Sequence, residues 1–199
     1  MAAPTTQNAR RSPLSRRELG FAGLGVLIGL AIIAVVWLVT ARTAEPALPG
    51  VGETNRPAPD IALPALDGGT IRLSDYRGQV VLVNFWGTWC EPCKEETPAL
   101  QAAYQQLKDQ GLVIVGVNLR KQEPSDDAVR AFLAQYNVTY PTALDVAAEA
   151  ARQFQISPIP TSYFIDPAGN IRYIRVGTLT QEEVAALFSR LRQDASALR

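Results

Sequence analysis

Histidine is absent from this 199-residue chain, cysteine occurs twice, and the only methionine is Met1. Zinc, copper and non-haem iron sites draw mainly on imidazole, thiolate and thioether ligands, so this supply argues against a resident metal. Covalent haem attachment is excluded, because its motif puts histidine directly after the second cysteine, and here Lys94 follows Cys93. Hydrolases that need an imidazole base are excluded in the same way. Neither charge is in excess, since 19 basic residues balance 19 acidic ones. With no net field and no interleaved basic and aromatic patch, nothing favours nucleic acid as a partner. No cofactor is expected.

What is present begins with an uncharged run, Gly20 to Thr40. At about 21 residues it is long enough to cross a bilayer core of about 30 Å. Arg10, Arg11, Arg16 and Arg17 precede it. That excess predicts residues 1–19 as a cytoplasmic tail, 20–40 as an uncleaved signal anchor, and the remainder on the far side of the cell membrane. The run lacks the polar face of a soluble helix, and it is longer than the apolar part of a cleaved signal peptide. Cleavage after "VTA", Val39 to Ala41, is the alternative. Residues 41–59 are rich in Pro, Gly and Ala without periodicity and read as a linker.

From Asp60 to Arg199 the pattern is that of one globular domain. "IALPALDGGTIRL" predicts two short strands joined at Asp67-Gly68-Gly69. "VVLVNFWG" and "LVIVGVNL" are near-continuous apolar runs, as in strands buried on both faces. Between them a helix is expected from about Cys90 to Gln110, ended by Gly111. Ser125 or Asp126 caps a further helix, "PTALD" suggests a short strand, and "AAEAARQFQI" a short helix. "TSYFIDPAGNIRYIRVG" predicts a hairpin, and Thr180 with Glu183 forms a capping box for a last helix. The fold class is α/β, a mixed sheet flanked by helices.

Both cysteines fall in "NFWGTWCEPCKEETP", where a buried strand ends and a helix begins. Two residues three apart in a first helical turn are neighbours, at a separation that suits a disulfide. Pro92 is tolerated there because its missing N–H would be unpaired anyway. The free backbone donors and the helix dipole favour a thiolate at Cys90, the form that attacks disulfides. As a mere staple, so short a loop would add only about 2 kcal/mol on chain entropy. A redox role is the better reading. Trp89 is expected to shield the thiolate or to form part of a docking surface. Phe85 and Trp86 are read as core.

"VLVNFWGTWCEPCKEETPAL" together with "IPTSYFIDPAGNI" resembles the TlpA/ResA-like membrane-anchored thiol-disulfide oxidoreductases, redoxin (AhpC/TSA-like) members of the thioredoxin superfamily. The likeness runs from Asp60 to about Gln193. It implies a thioredoxin-like fold with an N-terminal β-hairpin, and a helix–strand insertion between Leu119 and Phe154. It further implies that Cys90 is the nucleophile and Cys93 the resolving thiol of a redox-active Cys90–Cys93 disulfide, and that Pro160 is the cis-proline beside it. Trp89, Ile159 and Thr161 would border the substrate, Ile159 through its backbone.

Asn84 stands where ordinary thioredoxins carry a buried aspartate. Glu96, one turn beyond Cys93, matches a glutamate near the thiols in this branch; it is read as an acid/base or pKa-tuning group, against the alternative of a solvated helix glutamate. Negative charge beside a thiolate opposes its formation and makes the pair more reducing. The expected activity is therefore reduction of disulfides in exported proteins. By resemblance the clients include apocytochrome c, and electrons come from a membrane donor of the CcdA or DsbD type. An oxidase or isomerase, or a non-catalytic copper-site maturation factor, are the alternatives. A peroxiredoxin is disfavoured, since its motif would need Pro at Val83 and Thr at Gly87.

Overall fold

The computed structural model describes residues 29–37 and 51–197. The chain falls into two units, Met1–Ala47 and Leu48–Arg199. In the first, residues 29–37 are helical, and Leu30, Ile32, Ile33, Val35, Val36 and Trp37 are exposed. Among the described residues no helix is long and apolar enough to cross a membrane. The tail 1–19, the rest of the 20–40 run and the linker up to residue 50 lie outside the described residues.

The second unit is built on a six-stranded sheet. Its strands are β1 (Val51–Pro57), β4 (Val80–Trp86), β5 (Leu112–Asn118), β6 (Thr142–Leu144), β7 (Thr161–Ile165) and β8 (Asn170–Val176), in the order β1-β8-β7-β4-β5-β6. β2 (Ala62–Pro64) and β3 (Thr70–Arg72) form the expected separate hairpin. The helices are α1 (Glu91–Leu107), α2 (Asp126–Gln135), α3 (Glu149–Gln153) and α4 (Gln181–Ala197). β4 runs parallel to β5, and β5 to β6, while β7, β8 and β1 are antiparallel to their neighbours.

Alternation along the central strands divides the core. Val81, Val83 and Phe85 of β4 join Val113, Val115 and Val117 of β5 on one face, under the β2–β3 hairpin and Phe154 beyond α3. Val80 and Leu82, with Leu112 and Ile114, face the other way. There they meet Leu100, Ala103 and Leu107 of α1 and Val184, Leu187 and Leu191 of α4. Both faces being covered explains why β4 and β5 read as unbroken apolar runs. α1 gives way after Leu107 to a 3-10 turn, Lys108–Gln110, which Gly111 closes in the left-handed conformation at φ +98°. Ser125 Oγ accepts from Ala128 N–H at 3.1 Å as the cap of α2. Thr180 and Glu183 exchange their capping bonds at 2.9 and 3.2 Å. The insertion supplies α2 and β6, and α4 runs to Ala197, one turn past the predicted end.

One boundary needs correcting. Residues 51–57, assigned above to the linker, are an edge strand whose register on β8 pairs Val51 with Arg175 and Pro57 with Asn170. "VGETNRP" shows no apolar alternation because this strand is held mainly by main-chain pairing, and most of its side chains stay in contact with solvent. A bulge between Glu53 and Arg56 breaks the pattern further. At the opposite margin, Ala65 bridges Ala143, and Leu66 N–H donates to the Thr142 carbonyl at 2.9 Å, so the segment after β2 covers the outer edge of β6.

Candidate active site

β4 ends at Trp86, and α1 starts at Glu91 with Cys90 as its cap. Cys90 has extended backbone angles, φ −87° and ψ 109°, and its Sγ accepts from Cys93 N–H at 3.2 Å. A sulfur thus takes the place that serine or aspartate usually fills at a helix start. Cys90 and Cys93 are disulfide-bonded, with S–S 2.08 Å and Cα atoms 5.2 Å apart. Cys90 keeps 5% of its surface exposed and Cys93 none, so of the two cysteines only the first touches solvent. The pair is embedded among Leu66, Trp86, Val129, Phe132 and Leu144, with Ile159 packed against the same cluster. α1 continues through Pro98, and Thr97 Oγ1 donates to the Cys93 carbonyl at 2.7 Å.

Phe85 and Trp86 are core residues; Trp86 stacks on Phe132 with ring centroids 4.8 Å apart. Trp89 is 48% exposed beside Cys90. A Cβ built on Gly87 would lie 2.9 Å from two atoms of the Trp89 indole, so the ring rests on the one residue with no side chain to obstruct it. The Ile159–Pro160 peptide bond is cis, and the Pro160 carbonyl accepts from Gly177 N–H at 2.9 Å. Thr161 opens β7 and is buried; its hydroxyl donates to the Pro158 carbonyl at 2.9 Å, which commits its one hydroxyl hydrogen inside the domain.

Glu96 is 2% exposed and is not a solvated helix residue. Asn84 Nδ2 donates to its Oε1 at 2.8 Å, and Leu179 N–H to its Oε2 at 3.1 Å. The same Asn84 nitrogen donates to Ser162 Oγ at 3.0 Å, tying β4, α1 and β7 together. Burial pushes the Glu96 carboxyl up to about 7, against the opposing pull of those two hydrogen bonds and of the Arg175 charge. Glu91, by contrast, is exposed and pairs with Lys94 at 2.8 Å. Sequence reasoning did not anticipate Glu123, a buried carboxylate that bonds Thr88 in the loop leading to Cys90. Its place in an irregular segment between β5 and α2 gives no periodic signal. The arrangement combines a cysteine that still touches solvent, a fully buried partner cysteine and, one turn further along α1, a carboxyl that burial raises to about 7.

Comparison with known proteins gives consistent relatives. Residues 54–174 match the AhpC/TSA family. The thiol-disulfide oxidoreductase ResA of Geobacillus kaustophilus is 36% identical over 159 residues, covering 80% of this chain and 87% of that protein. ResA of Bacillus subtilis is 39% identical over 127 residues, covering 64% of this chain and 69% of that protein. Among solved structures, the thiol:disulfide interchange protein DsbE of Chlorobium tepidum superposes with a TM-score of 0.62 at 30% identity, over 72% of this chain and 97% of that one. StoA of Bacillus subtilis does so with a TM-score of 0.58 at 29% identity, over 71% and 98%.

Proposed function

Because the chain belongs to the AhpC/TSA family and is a thiol-disulfide oxidoreductase of thioredoxin-like fold, we propose that it reduces disulfides of exported proteins while tethered to the cell membrane. The tether is the 20–40 run, with the N-terminus cytoplasmic and the redox domain outside. Clients include the haem-attachment cysteines of apocytochrome c, which must be reduced before ligation. A membrane thiol transporter of the CcdA or DsbD type returns the electrons.

In the reduced protein, Cys90 thiolate attacks one sulfur of the client disulfide, and the other client sulfur leaves as a thiolate. A mixed disulfide through Cys90 results. Cys93 gives its proton to Glu96, and its thiolate attacks Cys90 Sγ. That step breaks the mixed disulfide, releases the second client thiol and closes Cys90–Cys93. Two electrons pass from the protein to the client. The membrane donor then reopens the Cys90–Cys93 bond by the same two steps in reverse.

The observation that carries the reducing direction is the buried Glu96 carboxyl, held at about 7 one turn from Cys93. Once ionised, it opposes a thiolate nearby and so disfavours the reduced form. Cys93→Ser is expected to accumulate mixed disulfides through Cys90 in intact cells, identifiable by mass spectrometry, and Cys90→Ser to accumulate none. The opposite pattern would reverse the roles of the two cysteines. A reduction potential as oxidising as about −120 mV, that of a dedicated oxidase, would reverse the direction.

A further inference from the structure

Thr88, two residues before Cys90, is gripped from outside its own loop. Its N–H donates to Glu123 Oε1 at 2.7 Å, and its hydroxyl donates to Glu123 Oε2. Asn118 Nδ2, at the end of β5, donates to the same Oε1 at 2.9 Å. The main-chain carbonyl of Glu123 accepts from Arg120 Nη1 at 3.1 Å, and Arg120 pairs with Asp126 at the start of α2. A carboxylate is costly to bury and persists where donors converge on it. Hydrogen bonds to an ionised acceptor are the stronger kind. Here the donors join the cysteine loop to the strand beside β4 and to the insertion.

We propose that Glu123 is a positioning residue for the Cys90–Cys93 exchange. By fixing Thr88, it keeps Cys90 Sγ within reach of Cys93 Sγ when the bond between them is open. The inference rests on the disulfide-exchange reading of the site. Cys93 lies inside α1, and Cys90 is tied to that helix by Lys94 N–H donating to its carbonyl at 3.2 Å. Upstream, the loop turns through Cys90 N–H donating to the Gly87 carbonyl at 3.2 Å, and Thr88 within that turn is what Glu123 holds. Freed of this grip, Cys90 samples more positions in the dithiol state. Two groups held together react as though at high concentration, and loosening one lowers that concentration.

The test is equilibration of the full-length chain with glutathione buffers. Glutathione disulfide accepts two electrons from the dithiol, two glutathione thiols form, and Cys90–Cys93 closes. Alkylation and mass spectrometry give the oxidised fraction. Glu123→Ala is expected to lower the constant for closure about tenfold, a shift of about 30 mV to a less negative potential. Thr88→Val keeps the N–H bond and loses the hydroxyl one, with an expected drop of about threefold; Thr88→Ser restores both donors and recovers the parent constant. Should Glu123→Ala fail to fold, the two Thr88 variants decide. Folded variants whose constants stay within twofold of the parent overturn the proposal, even if they melt earlier, because lower stability alone shifts both redox forms together. If the parent disulfide is opened neither by glutathione nor by excess dithiothreitol, the exchange reading itself fails and takes this inference with it; a pair too reducing for glutathione is poised in dithiothreitol buffers instead.

Discussion

Glu96→Gln isolates one buried ionisation. The wild-type carboxyl moves from the ordinary glutamate value of 4.5 when unfolded to about 7 in the folded domain, chiefly through burial. Below the lower value both states are protonated and the residue is neutral in each. Between the two values the unfolded chain ionises while the folded one does not, so stability falls as pH rises. Above about 7 both are ionised, and the cost of the buried charge is felt in full. At about 1.4 kcal/mol per pKa unit, the loss is roughly 3 kcal/mol across that interval. Glutamine carries no charge at any of these values. Its amide is accommodated if Asn84 flips, accepting from Gln at position 96 and from the Ser162 hydroxyl through Oδ1. Urea unfolding of the disulfide form, in which the cysteines do not titrate, is the assay, run from pH 4.5 to 8.5. With m of roughly 1–3 kcal/mol/M, the midpoints of wild type and variant should diverge by on the order of 1–3 M, the variant gaining as pH rises. Parallel midpoint curves over the whole range would refute the assignment of a neutral, buried Glu96 below pH 7.

Gly87→Ala places a methyl 2.9 Å from the Trp89 indole, so the ring must swing off the loop. A red-shifted Trp89 emission is expected, read by difference against Trp89→Phe, with under about 1 kcal/mol lost in stability because the displaced ring is half in solvent already. Unchanged emission would show that the ring does not rest on Gly87. Asp145→Ala removes a fully buried carboxylate that accepts from Glu149, Ala150 and Ala151 N–H at 2.8, 3.3 and 2.8 Å. Leaving those α3 donors unpaired should cost about 2–3 kcal/mol, seen as a lower denaturant midpoint at constant m, and Asp145→Asn should recover part of it.

The sheet and the sulfur pair were legible in the sequence for different reasons. β4 and β5 announce themselves because each is buried on both faces, and the hairpin of β7 and β8 because Asp166 to Asn170 marks its turn. Cys90 and Cys93 need only a spacing of three and a strand before them. Glu96 could be placed on the stripe of Cys93, but its burial could not be read. The groups that enclose it come from Asn84 and Leu179, 12 and 83 positions away, and a glutamate on a helix is ordinarily wet. Glu123 was hidden for the same reason, being 35 positions from the threonine it holds. β1 was hidden for another: backbone pairing to β8 leaves little mark on the choice of side chains.

Ala65 and Leu66 stopper the β6 margin against strands from outside the domain. A sheet margin with unspent amides invites a stray strand to lie alongside and stay. One rim of this sheet is closed by the domain's own chain; the other is β1, kinked between Glu53 and Arg56 and ending in Pro57. Neither rim therefore offers a long, regular ladder on which a stray strand could extend the sheet.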